Sequence, residues 1–164
     1  MKKYLVGAVA FSLILLSGCA TKVTSTAQTL QDSPTSISKT HEITSLAIVY
    51  RYTDEVPHTL ANRNLKIASD LVDIFKHKGL SVAAFPNVNL NIKSVMTQYS
   101  HVLLISMNSY QSYGSSTTVS LTAGIQDTQT RKLVWKYKGT ANTSLSKAIA
   151  QDIAQKMESS KLIK

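Results

Sequence analysis

The residues able to do chemistry in this 164-residue chain are few and scattered. It has one cysteine, Cys19, and four histidines. A lone thiol excludes an intramolecular disulfide framework and a zinc site built from cysteine pairs. Asp54, Glu55 and His58 bring oxygen and imidazole donors together just after an apolar run. Open α/β sheets commonly bind ligands at such a place. Around Pro57 the same residues read more simply as a solvated polar loop, so no metal site is expected. Asp73 and His77 are an i,i+4 pair opposite an apolar stripe, a surface contact worth roughly 0.2–0.5 kcal/mol and not a catalytic dyad. His101, at the start of a strand, reads as a partner for backbone groups. No Gly-x-Ser-x-Gly elbow and no glycine-rich phosphate loop occurs, and of the six glycines Gly114 and Gly124 stand alone. Glycoside hydrolysis needs two carboxyls held about 5–10 Å apart, and nine scattered acids nominate no pair. The expectation is a non-catalytic protein that needs no cofactor. A hydrolase of unrecognised kind is the remote alternative, which a deep cleft with converging acids or histidines would revive.

The one thiol sits in a telling context. Lys2 and Lys3 are followed by an uncharged, mostly apolar run from Tyr4 to Leu16. As a helix that run reaches roughly 20 Å, short of the ~30 Å hydrocarbon core, so it reads as the apolar region of an export signal. Leu16-Ser17-Gly18-Cys19 comes next. This resembles the lipobox of bacterial lipoproteins. The resemblance implies cleavage before Cys19 with Leu16, Ser17 and Gly18 as the peptidase recognition residues. It also implies thioether lipidation of the Cys19 sulfur and acylation of the new amino terminus. Two or more acyl chains anchor a protein stably where one does not. An ordinary secretory signal, or a start helix whose cysteine is accidental, is the alternative. In the enterobacterial version of the family an aspartate after the cysteine retains the protein in the inner membrane. Ala20 stands there instead, which implies a lipid-anchored, periplasm-facing protein of the outer membrane.

These features divide the chain into a signal (1–18), a lipidated cysteine with a tether (19–44) and a globular domain (45–164). Thr21 to Thr40 reads TKVTSTAQTLQDSPTSISKT, half Ser and Thr, with no periodic apolar residues to offset its ordering entropy. As a coil it would span roughly 25 Å, or at most about 70 Å when stretched. An added edge strand around Ile37 is the alternative for part of it.

From Ser45 the pattern changes. Leu46 to Tyr50 is a continuous apolar run suited to a strand buried on both faces. Leu60 to Lys78 has helical spacing, with Ile67, Ala68, Leu71, Val72, Ile74 and Phe75 on one stripe, Thr59 as N-cap and Gly79 as C-cap. Leu80 to Phe85 gives a second strand and Asn91 to Tyr99 a short helix. His101 to Met107 gives a third strand, central because Val102 to Ile105 are apolar on both faces. Val119, Leu121, Ala123 and Ile125 alternate with polar residues, and after a turn at Asp127 to Thr130 so do Leu133, Trp135 and Tyr137. This predicts an antiparallel hairpin with Leu133, Trp135 and Tyr137 inward and Lys132, Lys136 and Lys138 outward. Leu145, Ile149, Ile153 and Met157 form a terminal amphipathic helix. The fold class is α/β (α+β), a single domain ordered β-α-β-α-β-β-β-α around a mixed, about five-stranded sheet.

The stretch Asp127-Thr128-Gln129-Thr130-Arg131-Lys132-Leu133-Val134-Trp135, followed by Lys138-Gly139-Thr140-Ala141, is similar to a hairpin of small Gram-negative envelope lipoproteins. Those include the penicillin-binding-protein activator lipoproteins and the curli-secretion lipoprotein. The likeness extends over residues 45–160 in element order and about fifteen residues in wording, and it implies a Trp-anchored hairpin but no chemistry.

Two binding features follow from composition. MNSYQSYGSS, residues 107–116, clusters Tyr110 and Tyr113 with amides and hydroxyls, a composition suited to sugar or peptide. A plain connecting loop is the alternative. Loss of Lys2 and Lys3 with the signal leaves 16 basic against 9 acidic residues, so the mature chain is near +7. Such a surface concentrates anions, and Arg131, Lys132, Lys136 and Lys138 form the best candidate row. Edge lysines that block sheet pairing would look the same. An exported protein rarely meets nucleic acid, so the expected partners are the membrane, through Cys19, and an envelope protein or peptidoglycan. The leading expectation is an interaction or accessory module, with peptidoglycan or glycan binding at Tyr110/Tyr113 second. Oligomeric state is left open.

Overall fold

The computed structural model describes residues 23–30, 43–50, 58–87, 90–113, 116–142 and 146–164. The elements are β1 (Thr24–Thr29), β2 (Ser45–Tyr50), α1 (His58–His77), β3 (Ser81–Pro86), α2 (Ile92–Gln98), β4 (His101–Tyr113), β5 (Ser116–Asp127), β6 (Leu133–Asn142) and α3 (Ser146–Ser159). They build one mixed sheet of six strands, ordered β1-β6-β5-β4-β2-β3. β2 pairs in parallel with β3 and β4, while β4, β5, β6 and β1 pair antiparallel in succession. The α/β class and the order of the last eight elements follow the sequence reading.

β2 is the strand that its apolar run implies. Leu46, Ile48 and Tyr50 join the large core beneath α1 and α3, while Ala47 and Val49 face a smaller cluster under α2. α1 buries Ile67, Ala68, Leu71 and Phe75. It ends where Gly79 takes φ +81°, with Leu80 N–H bonded to the Phe75 carbonyl and Gly79 N–H to that of Lys76. That is the Schellman arrangement, and glycine is favoured there because the left-handed conformation crowds a Cβ. The helix begins at His58, so Thr59 lies inside its first turn and is not its N-cap. On α3, Ile149, Ala150, Ile153, Ala154 and Met157 face the same core. Trp135 lies at the bottom of that core, fully buried and stacked on Tyr137 at 6.0 Å. Its indole N–H bonds the Ser160 hydroxyl just past α3 at 3.2 Å.

Three expectations are corrected. The sheet has six strands, not five, because Thr24–Thr29, inside the segment read as a coil tether, pairs along β6. That strand carries no apolar alternation because it sits at an edge, where Val23 and Ala27 are only partly buried against the core. Ile43 is also core, and its N–H bonds the Leu162 carbonyl, so the folded unit does not begin at 45. The alternative strand around Ile37 lies outside the described residues. The second correction concerns residues 107–113, which are not a loop. β4 continues through them to Tyr113 and pairs with β5 down to Ser116. The third is Leu133, which does not face inward with Trp135. The register shifts beside Ile125/Gln126, and Gln126 pairs with Leu133 where Trp135 pairs with Ile125. The extra residue, Val134, packs on the large core, and the bulge turns Leu133 to the opposite face.

Candidate functional site: the open face of the antiparallel sheet

One face of the sheet packs on a core shared with α1 and α3. The other is covered only at its parallel end. There α2, capped by the Asn91 side chain accepting from Ser94 N–H, lays Val95 over Ala47, Val49 and Val102. Phe85 and Tyr99 close the cluster edge to face at 5.9 Å. Beyond α2 the face over β4, β5, β6 and β1 has no helix on it among the described residues. Leu104, in line with the buried Val102, is accordingly 39% exposed, although the sequence reading placed all of Val102 to Ile105 in the interior.

Register lays out this open face as a lattice. One row across the strands reads Thr26, Lys138, Thr122 and Ser106, and the next reads Gln28, Lys136, Gly124 and Leu104. Successive members of a row are about 4.8 Å apart and the rows about 7 Å apart, so the two lysines leave the backbone at roughly that spacing. Lys136 and Lys138 are exposed, and no carboxylate lines the shallow groove between the rows. Leu133 lies across Gly124, where a Cβ would come within 2.9 Å of its Cδ1. The glycine thus lets an apolar side chain lie flat beside the lysines. The surface offers cationic donors, hydroxyls, the exposed Leu104 and the half-buried Leu133, which is equipment for holding an anionic, hydroxyl-bearing partner.

The underside is built to be rigid. Tyr137 alternates with Lys136 and Lys138 and points into the core, where its hydroxyl donates to Asp152 Oδ2 of α3 at 2.8 Å. Burial pushes the Tyr137 phenol far above its usual range, and the hydrogen bond and charge of Asp152 push the same way against an opposing bond from Ser25. Strands β1 and β6 and helix α3 therefore meet at one phenol. Gly139 is required for this. A Cβ there would collide with the Tyr137 hydroxyl and stand 2.7 Å from its Cζ.

The hairpin turn is a fastening. Burial opposes ionisation of Asp127, yet hydrogen bonds from the Thr130 N–H and hydroxyl, with His101 nearby, hold its carboxyl below the usual range. Thr130 N–H approaches Asp127 Oδ1 at 2.7 Å and its hydroxyl at 3.0 Å. Thr128 N–H bonds the Ser100 carbonyl at 3.0 Å, tying the turn to the start of β4. His101 is buried, with Nδ1 at 3.0 Å from the Ser100 hydroxyl and Nε2 at 3.8 Å from Asp127. That setting is structural.

The remaining sequence candidates fall as follows. Arg131 and Lys132 are exposed in the β5–β6 turn, so the basic row is split between that turn and the face carrying Lys136 and Lys138. Tyr110 and Tyr113 lie on the outer end of β4, opposite Val119 and Ser116. His77 Nδ1 bonds the Asp73 carbonyl at 2.6 Å and not its carboxylate, which removes the dyad. Among the described residues no group of three His, Cys, Asp or Glu could hold a metal, and no helix is long and apolar enough to cross a membrane. Leu16, Ser17, Gly18, Cys19, Asp54 and Glu55 lie outside the described residues. Sequence reasoning missed the open face as a unit because β1, which supplies Thr26 and Gln28, was not recognised. The alternation of Thr24, Thr26 and Gln28 with Ser25 and Ala27 was the available signal.

No protein-family profile matches the sequence, and no curated protein matches it either. Among solved structures the chain is similar to a PelC dodecamer from Paraburkholderia phytofirmans, at 15% identity and TM-score 0.54 over 83% of this chain and 97% of that one. A second crystal form of PelC from the same organism gives 18% identity and TM-score 0.53 over 83% and 95%. Lipoprotein GNA1162 from Neisseria meningitidis is 15% identical with TM-score 0.42, over 70% of this chain and 98% of that one. At these identities the shared property is the fold, a single mixed α/β domain like that seen in PelC.

Proposed function

We propose that this protein is a lipid-anchored, non-catalytic accessory module of the bacterial envelope, working through the open face of its antiparallel sheet. The observation that carries this reading is the lattice of Lys136, Lys138, Thr26, Gln28 and Thr122, a cationic surface with no helix over it among the described residues. Cys19, preceded by Leu16, Ser17 and Gly18, supplies the anchor, and Ala20 directs the protein to the periplasmic side of the outer membrane. The test of the address is the mass of the mature amino terminus. A diacylglyceryl-modified, acylated Cys19 is expected, and Cys19→Ala should leave unprocessed precursor with no acyl label. A mature chain that begins elsewhere, or carries no lipid, overturns the anchor.

The partner is read as an acidic face of an envelope protein. Peptidoglycan is the second reading, favoured by hydroxyls flanking two lysines at a spacing of about 7 Å, which suits carboxylates along a peptide-bearing glycan. Co-sedimentation with purified peptidoglycan that survives Lys136→Glu plus Lys138→Glu would discard it. The similar PelC structures are dodecamers. A closed ring of copies is therefore part of the proposal, and native mass spectrometry of the acylated protein reads it directly.

A further inference from the structure

We infer that β1 of one copy of this chain pairs along β3 of the next, so that a single sheet runs on from copy to copy. The inference rests on the closed ring proposed above and supplies its contact. Among the described residues β1 and β3 are the outermost strands of the sheet, and no strand lies beyond either. An edge strand presents a row of unpaired N–H and C=O groups, which proteins that stay single usually blunt with charge, proline or a bulge. β1, TSTAQT, carries none of these and keeps an unbroken register along β6. β3, SVAAFP, is equally uncharged and unbroken, with proline only at its last position. Each strand is six residues long.

Direction and parity make the two edges partners. β3 runs parallel to β2 and β4, and the antiparallel steps from β4 through β5 and β6 leave β1 opposed to β3. A copy set beside the first in the same orientation therefore offers β3 antiparallel to β1, the stronger of the two pairings. Leu30 N–H bonds the Val134 carbonyl, so by alternation Gln28 and Thr26 also turn their backbone groups toward β6. Ser25, Ala27 and Thr29 then turn theirs to the free edge. On β3, Ser81 N–H bonds the Thr44 carbonyl and Asn87 N–H that of Tyr50, so Val82, Ala84 and Pro86 face outward. Setting Ala27 opposite Ala84 places Thr29 on Val82 and Ser25 on Pro86, and every outward N–H finds a carbonyl. Pro86, which has no N–H, falls at the end of that ladder. The faces agree as well. Ala27 and Ala84 both pack against the large core on the side of α1 and α3. Thr26 and Gln28 of the open face meet Phe85 and Ala83, and Phe85 belongs to the cluster under α2. The lattice of Lys136 and Lys138 becomes a trough with α2 of its own copy on one side and α2 of the next copy on the other. Because the contact joins different surfaces of the two copies, it repeats until a ring closes.

The test co-expresses two differently tagged full-length chains, one Gln28→Cys and one Ala83→Cys. The proposed register makes these a non-hydrogen-bonded antiparallel pair, with about 4.5 Å between Cα atoms, within the range a disulfide spans. Gln28 is exposed and Ala83 half-buried, so both changes are small. Mild oxidation should join the two tags severalfold faster than when the exposed Ser81→Cys, two residues out of register on the same face, replaces Ala83→Cys. The unsubstituted chains, which share Cys19, give the background. Equal rates at 81 and 83, no joining above background, or joining of Gln28→Cys chains to one another through a β1–β1 pair overturns the inference. Native mass spectrometry of the same protein separates this result from the ring reading. A closed ring without the 28–83 bond leaves the ring standing and removes this contact. The bond with only open chains or dimers leaves the contact standing and removes the ring.

Discussion

The two halves of this sheet solve opposite problems. In the parallel half, β3, β2 and the start of β4 are covered on both faces, and β2 is accordingly apolar at successive positions from Leu46 to Tyr50. In the antiparallel half, β4, β5, β6 and β1 are covered on one face, and alternate residues such as Lys136 against Tyr137 divide between water and core. Helical crossovers bury a parallel sheet as a consequence of connecting it, whereas hairpins leave a face free. The free face is where a partner can be met without unfolding anything.

That contrast can be broken from its covered side. Trp135→Ala, on the buried face of β6, should cost about 3–5 kcal/mol in a denaturant titration, because the largest core side chain is replaced by a cavity. A loss below about 1 kcal/mol would mean that the hairpin is not seated on the core as described. Gly139→Ala should cost about 1–3 kcal/mol, since the added methyl displaces Tyr137 from Asp152. The paired variant Gly139→Ala with Tyr137→Phe should recover part of that loss if the phenol contact is its source.

The β5–β6 turn makes stability depend on pH. The Asp127 carboxyl is held below its usual range in the folded protein, so its stabilisation is present above the unfolded value of about 3.9 and is lost as pH falls through that region. The stability gap between the protein and Asp127→Asn should therefore be larger at pH 6 than at pH 3. A gap that widens in acid would reverse the assigned sign. On the open face the smallest effect is expected. Lys136→Glu plus Lys138→Glu should change stability by no more than about 0.5 kcal/mol each while weakening salt-sensitive capture of the partner.

Legibility followed the same divide. Where burial is two-sided the sequence writes it plainly, and Leu46-Ala47-Ile48-Val49-Tyr50 could hardly be anything but a central strand. Gly79 and the stripe from Ile67 to Phe75 announced α1 and its end in the same way. β1 leaves only a faint alternation because an edge strand with one exposed face and small inward residues spends no large apolar side chain. The outer hairpin was mistaken for a loop because its strand residues are Ser, Asn, Gln and Tyr, a turn-like composition that only cross-strand pairing makes regular. Leu133 faced the unexpected way because a bulge flips parity, and nothing in the alternation of Leu133, Trp135 and Tyr137 reveals an inserted residue. The lysines were found by type, and their grouping with Thr26 and Gln28 is a property of register alone. The role proposed for Cys19 rests on its neighbours in sequence and not on the fold.

Site-specific photocross-linking in native envelopes tests most directly whether the open face is the working surface. A photoreactive residue placed at Gln28 or at Lys136 should capture the same partner, whereas one at Lys93 on the exposed side of α2 should capture none. Capture from Lys93 equal to that from Gln28 and Lys136, or none from any of the three, would contradict it.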